Sequence, residues 1–220
     1  MESTIDIPPR RRANYFAEGD YLKTNVATGV TRNRTGTRMI SLTADFLIGL
    51  RNGLMHECGK ATDAVFKTSG KKWGTQWAIR LEKELSDYYG MPLVDFPLAM
   101  FQASLVEAFS HHGWGKLWLD VSAHHHGLLI FTVHNAIYAE LVKTSEAPAD
   151  SLISGILSGV FSYYADRDLD CEQTQCRACG AMDSRFIVSI PERLTPVADW
   201  VSKGTTHDEI VKKLIDDRLS

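Results

Sequence analysis

Apolar residues recur at four-residue spacing where the periodic part of the chain begins. Leu42, Phe46, Leu50 and Leu54 fall on one face of a helix that we expect to end near Gly59. A second helical segment starts at about residue 60 and resumes after glycines at positions 70 and 74. These glycines allow either a kink or close contact with another helix.

A third helix is predicted over residues 96–111, and after it the hydrophobic period changes from about 3.6 to 2. Alternation over residues 117–121 and 129–133 predicts the two strands of an antiparallel hairpin. Residues 186–190 alternate in the same way and predict a third strand. The third helix is expected to direct four apolar side chains inward, namely Leu98, Phe101, Leu105 and Phe109.

A glycine-rich helix is predicted between the hairpin and the third strand, with Gly155 and Gly159 providing a flat strip for close packing. The order of helices, hairpin, helix, cysteine-rich loop, strand and terminal helices predicts an α+β fold. We expect an extended N-terminal arm over residues 1–38, the α+β domain over residues 39–195 and a helical tail over residues 196–220. Thr206 and Glu209 form a predicted capping box in the tail.

The composition of the chain limits the classes of protein to which it can belong. The chain has 220 residues, 44% of them hydrophobic and 23% charged, as in an ordinary globular domain. A formal net charge of −3 predicts no general attraction to nucleic acid. The N-terminus lacks the order of a secretory signal, and the apolar runs are too short to span a bilayer. We therefore expect a cytoplasmic protein.

Three of the four cysteines lie within nine residues, in the segment "CEQTQCRACGAMDSRF". Cys171, Cys176 and Cys179 have the spacing C-x4-C-x2-C, and the last two can reach one zinc ion. Zinc needs about four ligands, and the pattern does not identify the fourth. The alternatives are reduced thiols in a surface loop or redox chemistry by Cys176 and Cys179.

Several motifs together resemble the 4-vinyl reductase domain family, which includes the sensor domains of aromatic-responsive bacterial regulators. They are "GKKWG", "HHGWGKLWLDV", "VHNA", "SGILSGVF", the cysteine segment and "IPERL", and they occur in the family's order over about residues 40–200. The resemblance implies a twisted antiparallel sheet packed against several helices, as in subunits of vesicle-tethering (TRAPP) complexes. It also implies a homodimer that binds a small hydrophobic molecule, with zinc in the cysteine loop of several members.

The chain departs from the family pattern at two expected metal ligands. Family loops commonly have a cysteine where this chain has Ser184, eight residues after Cys176. The aromatic-sensing regulators have a glutamate where this chain has Gln173. A zinc site copied from those regulators would therefore lack two ligands, which Cys171 and Cys179 would have to replace.

Six aromatic residues are candidates to line an apolar ligand pocket, although they also suit an ordinary core or a dimer interface. No nucleophile elbow, phosphate loop or dinucleotide motif accompanies them, so neither a catalytic residue nor a nucleotide cofactor is predicted. The candidates are Phe101, Trp114, Trp118, Phe131, Phe161 and Tyr164.

The leading hypothesis is a non-catalytic, homodimeric protein that binds a hydrophobic molecule such as a tetrapyrrole. It would act through an unknown protein partner in pigment biosynthesis or photosystem assembly. One alternative is a reductase, or its accessory subunit, acting on a vinyl group of a chlorophyll precursor. Another is an oligomeric scaffold, because "LVEAFSHHGWGKLWLDV" also resembles the D subunit of bacterial cellulose synthase.

Overall fold

Two antiparallel sheets form in the computed structural model, which describes residues 15–16 and 21–217. The smaller sheet has the order β1-β2-β3, with β1 at Leu22–Asn25, β2 at Val30–Asn33 and β3 at Arg38–Met39. The larger sheet has the order β4-β5-β7-β6. Its strands are β4 (Lys116–Asp120), β5 (Leu129–His134), β6 (Asp170–Gln175) and β7 (Ser184–Ser189).

Helices cover both faces of the larger sheet. On one face, α3 packs against β4, α5 packs against β5, β6 and β7, and α2 packs against α5. On the other face, Ile187 of β7 contacts the short C-terminal helices. The helices are α1 (Ala44–Cys58), α2 (Thr62–Tyr89), α3 (Leu98–His111), α4 (Ile137–Val142), α5 (Ser151–Tyr164), α6 (Pro191–Leu194), α7 (Val197–Ser202) and α8 (His207–Asp216). The predicted α+β fold is confirmed.

The predicted hairpin is the β4–β5 pair, with Leu119 opposite Phe131, and the predicted third strand is β7. The predicted cysteine loop is wrong in its first half, because residues 170–175 form the edge strand β6. This strand lacks the alternating apolar residues from which the other strands are predicted, because most of its residues are polar. Gln173 and Thr174 are buried, and their side chains make hydrogen bonds inside the fold.

The contact between α2 and α5 depends on four glycines. A β carbon at Gly155 or Gly159 would overlap the backbone carbonyl of Lys67 or Lys71. Conversely, one at Gly70 or Gly74 would overlap backbone carbonyls of α5. The two backbones therefore touch, and α2 is a single helix of 28 residues. Of the two sequence alternatives for Gly70 and Gly74, close helix contact is the correct one.

Some predicted apolar faces lie at the surface. Helix α1 has no buried residue, and three residues of the predicted apolar row are exposed: Leu42, which precedes the helix, and Phe46 and Leu50 within it. In α3, Leu105 and Phe109 are buried as predicted, Phe101 is partly buried and Leu98 is exposed, so the inward direction predicted for Leu98 is wrong. Among the described residues, no helix combines the length and apolar character needed to cross a membrane.

The two ends of the chain are folded where the structure describes them. The predicted arm contains β1, β2 and the first residue of β3, and Tyr15, Phe16 and Tyr21 are buried in the core, so it is not an extended arm in this part. In the predicted tail, the capping box is present: Thr206 N–H donates to Glu209, whose N–H donates to Thr206 Oγ1. The positions of the domain boundaries stay a prediction.

Candidate ligand-binding cavity and the cysteine region

An open cavity of about 820 Å³ lies between the smaller sheet and the helices. Helix α2 forms one wall, and residues from the start of α1, the end of α3 and α5 form the others. On α2 the lining residues include Trp73, Trp77, Arg80 and Glu84. Their spacing of four, three and four residues places them on one helical face, which is the signal in the sequence that identifies this wall.

Three tryptophans form the aromatic part of the cavity wall. Trp73 stacks on Trp77 with ring centroids 5.1 Å apart. Trp114, which follows α3, meets Trp73 edge to face at 5.6 Å. Aromatic pairs prefer both arrangements. The wall is therefore a packed aromatic surface, with its polar groups at a few defined positions.

Trp114 and His112 supply a donor and an acceptor beside these rings. The indole Nε1–H of Trp114 is buried and has no hydrogen-bond partner within the described residues. His112 Nδ1 lies 2.7 Å from the carbonyl oxygen of Ala108, which can only accept, so Nδ1 carries the proton. Burial lowers the pKa of His112, so the ring is neutral at pH 7 and its Nε2 is an acceptor.

Glu84 joins the N-terminal segment to α2 at the edge of the cavity. Its carboxylate accepts hydrogen bonds from Tyr15 Oη at 2.8 Å, from Asn33 Nδ2 at 2.9 Å and from Thr37 Oγ1 at 3.0 Å. These three donors come from the segment predicted as an arm. The segment predicted as an extended arm therefore forms one wall of the cavity in this chain.

Of the six predicted pocket residues, Trp114 lines this cavity. Phe131 and Phe161 are buried and pack against each other at 4.9 Å, and Phe101 meets Tyr164 edge to face at 5.3 Å. Phe131 and Phe161 belong to the main core cluster, and Phe101 and Tyr164 are partly buried and pack against it. Trp118 is 65% exposed, on the outward face of β4.

The three clustered cysteines do not form one ligand set. Cys171 is buried in β6, and burial raises the pKa of its thiol well above the ordinary range. Cys176 and Cys179 are neighbours joined by a thiol hydrogen bond, and partial burial together with Cys176 raises the pKa of Cys179 to about 11. Within the described part of the chain, no three His, Cys, Asp or Glu side chains are arranged to hold a metal ion.

A buried carboxylate occupies the centre of this region. Asp150 is fully buried and accepts hydrogen bonds from Ala139 N at 2.9 Å, Gln173 Nε2 at 2.9 Å and Ser184 Oγ at 2.8 Å. Its own N–H donates to Gln173 Oε1 at 3.0 Å. Ser184 Oγ also accepts from the N–H of Arg177, at 3.4 Å. Burial raises the pKa of Asp150, and these hydrogen bonds oppose that shift.

Gln173 and Ser184 are the two positions at which the sequence departs from the family's metal ligands. The structure brings both side chains to Asp150, where they act as hydrogen-bond donors. An amide and a hydroxyl bound to a carboxylate do not offer the thiolate and carboxylate ligands that a zinc site needs. Gln173 and Ser184 therefore do not fit the metal ligands that the family resemblance implies at these two positions.

Comparison with known proteins supports the fold and the family. The chain has 16% identity to the crystal structure of the phenol-responsive sensory domain of the transcription activator PoxR with phenol. That match has a TM-score of 0.65 and covers 83% of this chain and 90% of the other. At this identity, it is a likeness of fold. No curated protein sequence matches the chain.

Two further solved structures are more distant. A vinyl-4-reductase family protein from Methanocaldococcus jannaschii has 15% identity, a TM-score of 0.49, and coverage of 69% of this chain and 83% of its own. A trafficking protein particle complex subunit 3 from Naegleria fowleri, covalently bound to palmitic acid, has 18% identity and a TM-score of 0.45. That match covers 66% of this chain and 93% of the subunit.

The family model of the 4-vinyl reductase domain matches residues 129–190. This segment runs from the start of β5 through α4, α5 and β6 to the end of β7, and it contains both the glycine-rich helix and the cysteine region. The predicted resemblance to the 4-vinyl reductase domain family is thereby confirmed.

Proposed function

We propose that this protein binds a small aromatic molecule in the cavity beside Trp114. The observation that carries the proposal is a cavity with three tryptophans in its wall and a buried indole N–H without a partner among the described residues. Ligand sites are typically apolar clefts of about 300–1,000 Å³ with a few directed polar groups. Burying a donor without a partner destabilises a fold by about 1–3 kcal/mol, which a ligand acceptor would offset.

The lining groups define the kind of molecule that suits the cavity. An aromatic ring can pack against Trp73 and Trp77, as these rings already pack against each other. A hydroxyl group on that ring can accept from Trp114 Nε1 or donate to His112 Nε2. A fold likeness to a sensory domain crystallised with phenol supports the same class of ligand.

Calorimetric titration with phenol tests the proposal. We expect saturable binding, and we expect Trp114→Phe to weaken it about fivefold, because it removes one hydrogen bond of about 1 kcal/mol. Trp118→Phe is the matched control, since Trp118 is exposed on the outer face of β4. Equal weakening by the two substitutions, or an absence of phenol binding, would contradict the proposal.

The homodimer is a further part of the proposal, supported by helix α1. Leu42, Phe46 and Leu50 form an exposed apolar row, which is typical of an interaction surface. A second copy of the chain is the occupant we propose. Light scattering on the purified protein should give twice the monomer mass, and Leu50→Glu should give the monomer mass.

The tetrapyrrole ligand, the pigment-related role and zinc binding stay predictions from the family resemblance. A tetrapyrrole titrated under the same conditions as phenol tests the first. Elemental analysis of the purified protein tests the last, and zinc close to one ion per chain would support it.

A further inference from the structure

Arg80 is a half-buried cation in the wall of the same cavity. It lies three residues after Trp77, so the two side chains share the face of α2 that lines the cavity. Within the residues that the structure describes, no carboxylate lies at ion-pair distance from its guanidinium. A partly buried charge without an opposite charge is unfavourable, so it needs a separate explanation.

The nearest carboxylate along the helix is already engaged. Glu84 lies one turn after Arg80, and both residues line the cavity. The Glu84 carboxylate is held by Tyr15, Asn33 and Thr37 of the N-terminal segment. These three hydrogen bonds engage the carboxylate, and among the described residues it forms no ion pair with Arg80, which leaves the guanidinium available to an anion.

The charge of Arg80 acts on His112, which contacts the aromatic part of the cavity wall. Burial is the main cause of the lowered pKa of His112; the charge of Arg80 lowers this pKa further, whereas the charge of Glu84 raises it. His112 in turn packs edge to face against Trp73 at 5.5 Å and Trp77 at 5.2 Å. The cation, the neutral acceptor and the aromatic rings therefore belong to one site.

We propose that the ligand is an aromatic carboxylate, with its carboxylate on Arg80 and its ring against the tryptophans. A ring hydroxyl would use Trp114 or His112, so hydroxybenzoates are the simplest members of the class. This inference rests on the proposed function, because it assigns a ligand class to the same cavity. The planar guanidinium can donate two parallel hydrogen bonds to a carboxylate, a geometry that lysine cannot reproduce.

Calorimetric titration of the full chain with three matched ligands tests the assignment. The ligands are 4-hydroxybenzoate, 4-hydroxybenzamide and phenol, of which the amide has the shape of the acid without its charge. We expect the acid to bind at least about tenfold more tightly than the amide or phenol, because a charge-assisted hydrogen bond is about twice as strong as a neutral one. This comparison uses the unaltered protein, so it does not depend on the folding of a variant.

Substitution of Arg80 tests whether this residue causes the tighter binding of the acid. Arg80→Gln should remove the preference for the acid and leave phenol binding within about twofold of the original. Arg80→Lys should retain only part of the preference. Lys83→Gln is the matched control: it removes one positive charge from an exposed position of α2 outside the cavity and should change neither ligand.

The outcomes separate this proposal from the one on which it rests. If phenol and the amide bind as tightly as the acid, or if Arg80→Gln leaves the preference for the acid unchanged, the carboxylate assignment is overturned and the aromatic-binding function stands. If none of the three ligands binds, both proposals fail.

Discussion

The cavity beside Trp114 and the region around Asp150 both contain buried polar groups, but they differ in how those groups are paired. The Asp150 carboxylate has donors from Ala139, Gln173 and Ser184, at 2.9, 2.9 and 2.8 Å. Trp114 lines the cavity, and its buried indole Nε1 has no partner among the described residues. Paired buried groups are the rule in folded proteins, whereas an unpaired one calls for an explanation, and a bound ligand is the one we propose for Trp114.

The comparison also concerns the two positions at which this chain departs from the metal ligands that the family resemblance implies. Donors to Asp150 come from α4, from β6 and from β7. A set of hydrogen bonds to one carboxylate therefore ties together the elements around the cysteine region. We infer that the region's role in this chain is structural, and that the chemistry of recognition lies in the cavity bordered by α2.

Removing the Asp150 carboxylate is expected to have the largest effect. Asp150→Ala removes the acceptor shared by three buried donors, of which Gln173 Nε2 keeps a second hydrogen bond to the carbonyl oxygen of Gln175, so we expect the free energy of unfolding to fall by about 3–5 kcal/mol. Urea denaturation measures the change. Asp168→Ala is the control, because that carboxylate is 69% exposed in its ion pair with Lys71 and should contribute less than about 1 kcal/mol. A loss of under about 1 kcal/mol at Asp150 would refute a structural role.

The contact between α2 and α5 connects the two regions, since α2 forms a cavity wall and α5 begins directly after Asp150. Gly159→Ala places a β carbon on the carbonyl of Lys71, so the helices must separate. We expect a loss of about 2–3 kcal/mol, as for other overpacked sites. Gly53→Ala is the matched control: it meets nothing within 4 Å in α1, and it should stabilise the protein by up to about 1 kcal/mol. Equal effects at the two glycines would refute the close contact.

Local patterns in the sequence predict the parts of the fold that rest on neighbouring residues. Strands β4, β5 and β7 are recognisable because apolar residues such as Leu117, Phe131 and Phe186 alternate and are buried. Strand β6 is not, because Gln173 and Thr174 are buried through hydrogen bonds that only tertiary structure reveals.

The cavity can be predicted only in part, for the same reason. The sequence marks Trp114 as an aromatic candidate, but its neighbours come from distant parts of the chain. Trp73 and Arg80 lie on α2, and the sheet that closes the cavity comes from a segment with little periodicity. The spacing of Trp73, Trp77, Arg80 and Glu84 marks one helical face, yet it does not show that the face borders a cavity instead of the core.

The smallest stability effect is expected at Trp114, and it gives the sharpest test of the difference between the two regions. Trp114→Phe removes an indole N–H that has no partner within the described chain, and it also removes part of a packed ring. These changes oppose each other, so we expect the free energy of unfolding to stay within about 1 kcal/mol of the original. Ser184→Ala removes a smaller group but one that is fully paired with Asp150 and Arg177, and it should lower stability by about 1–2 kcal/mol. Urea denaturation and phenol titration of both variants measure these effects.

Trp114→Phe should weaken phenol binding and leave stability almost unchanged, and Ser184→Ala should lower stability and leave phenol binding almost unchanged. A drop of more than about 2 kcal/mol for Trp114→Phe would mean that the indole supports the fold instead of recognising a ligand.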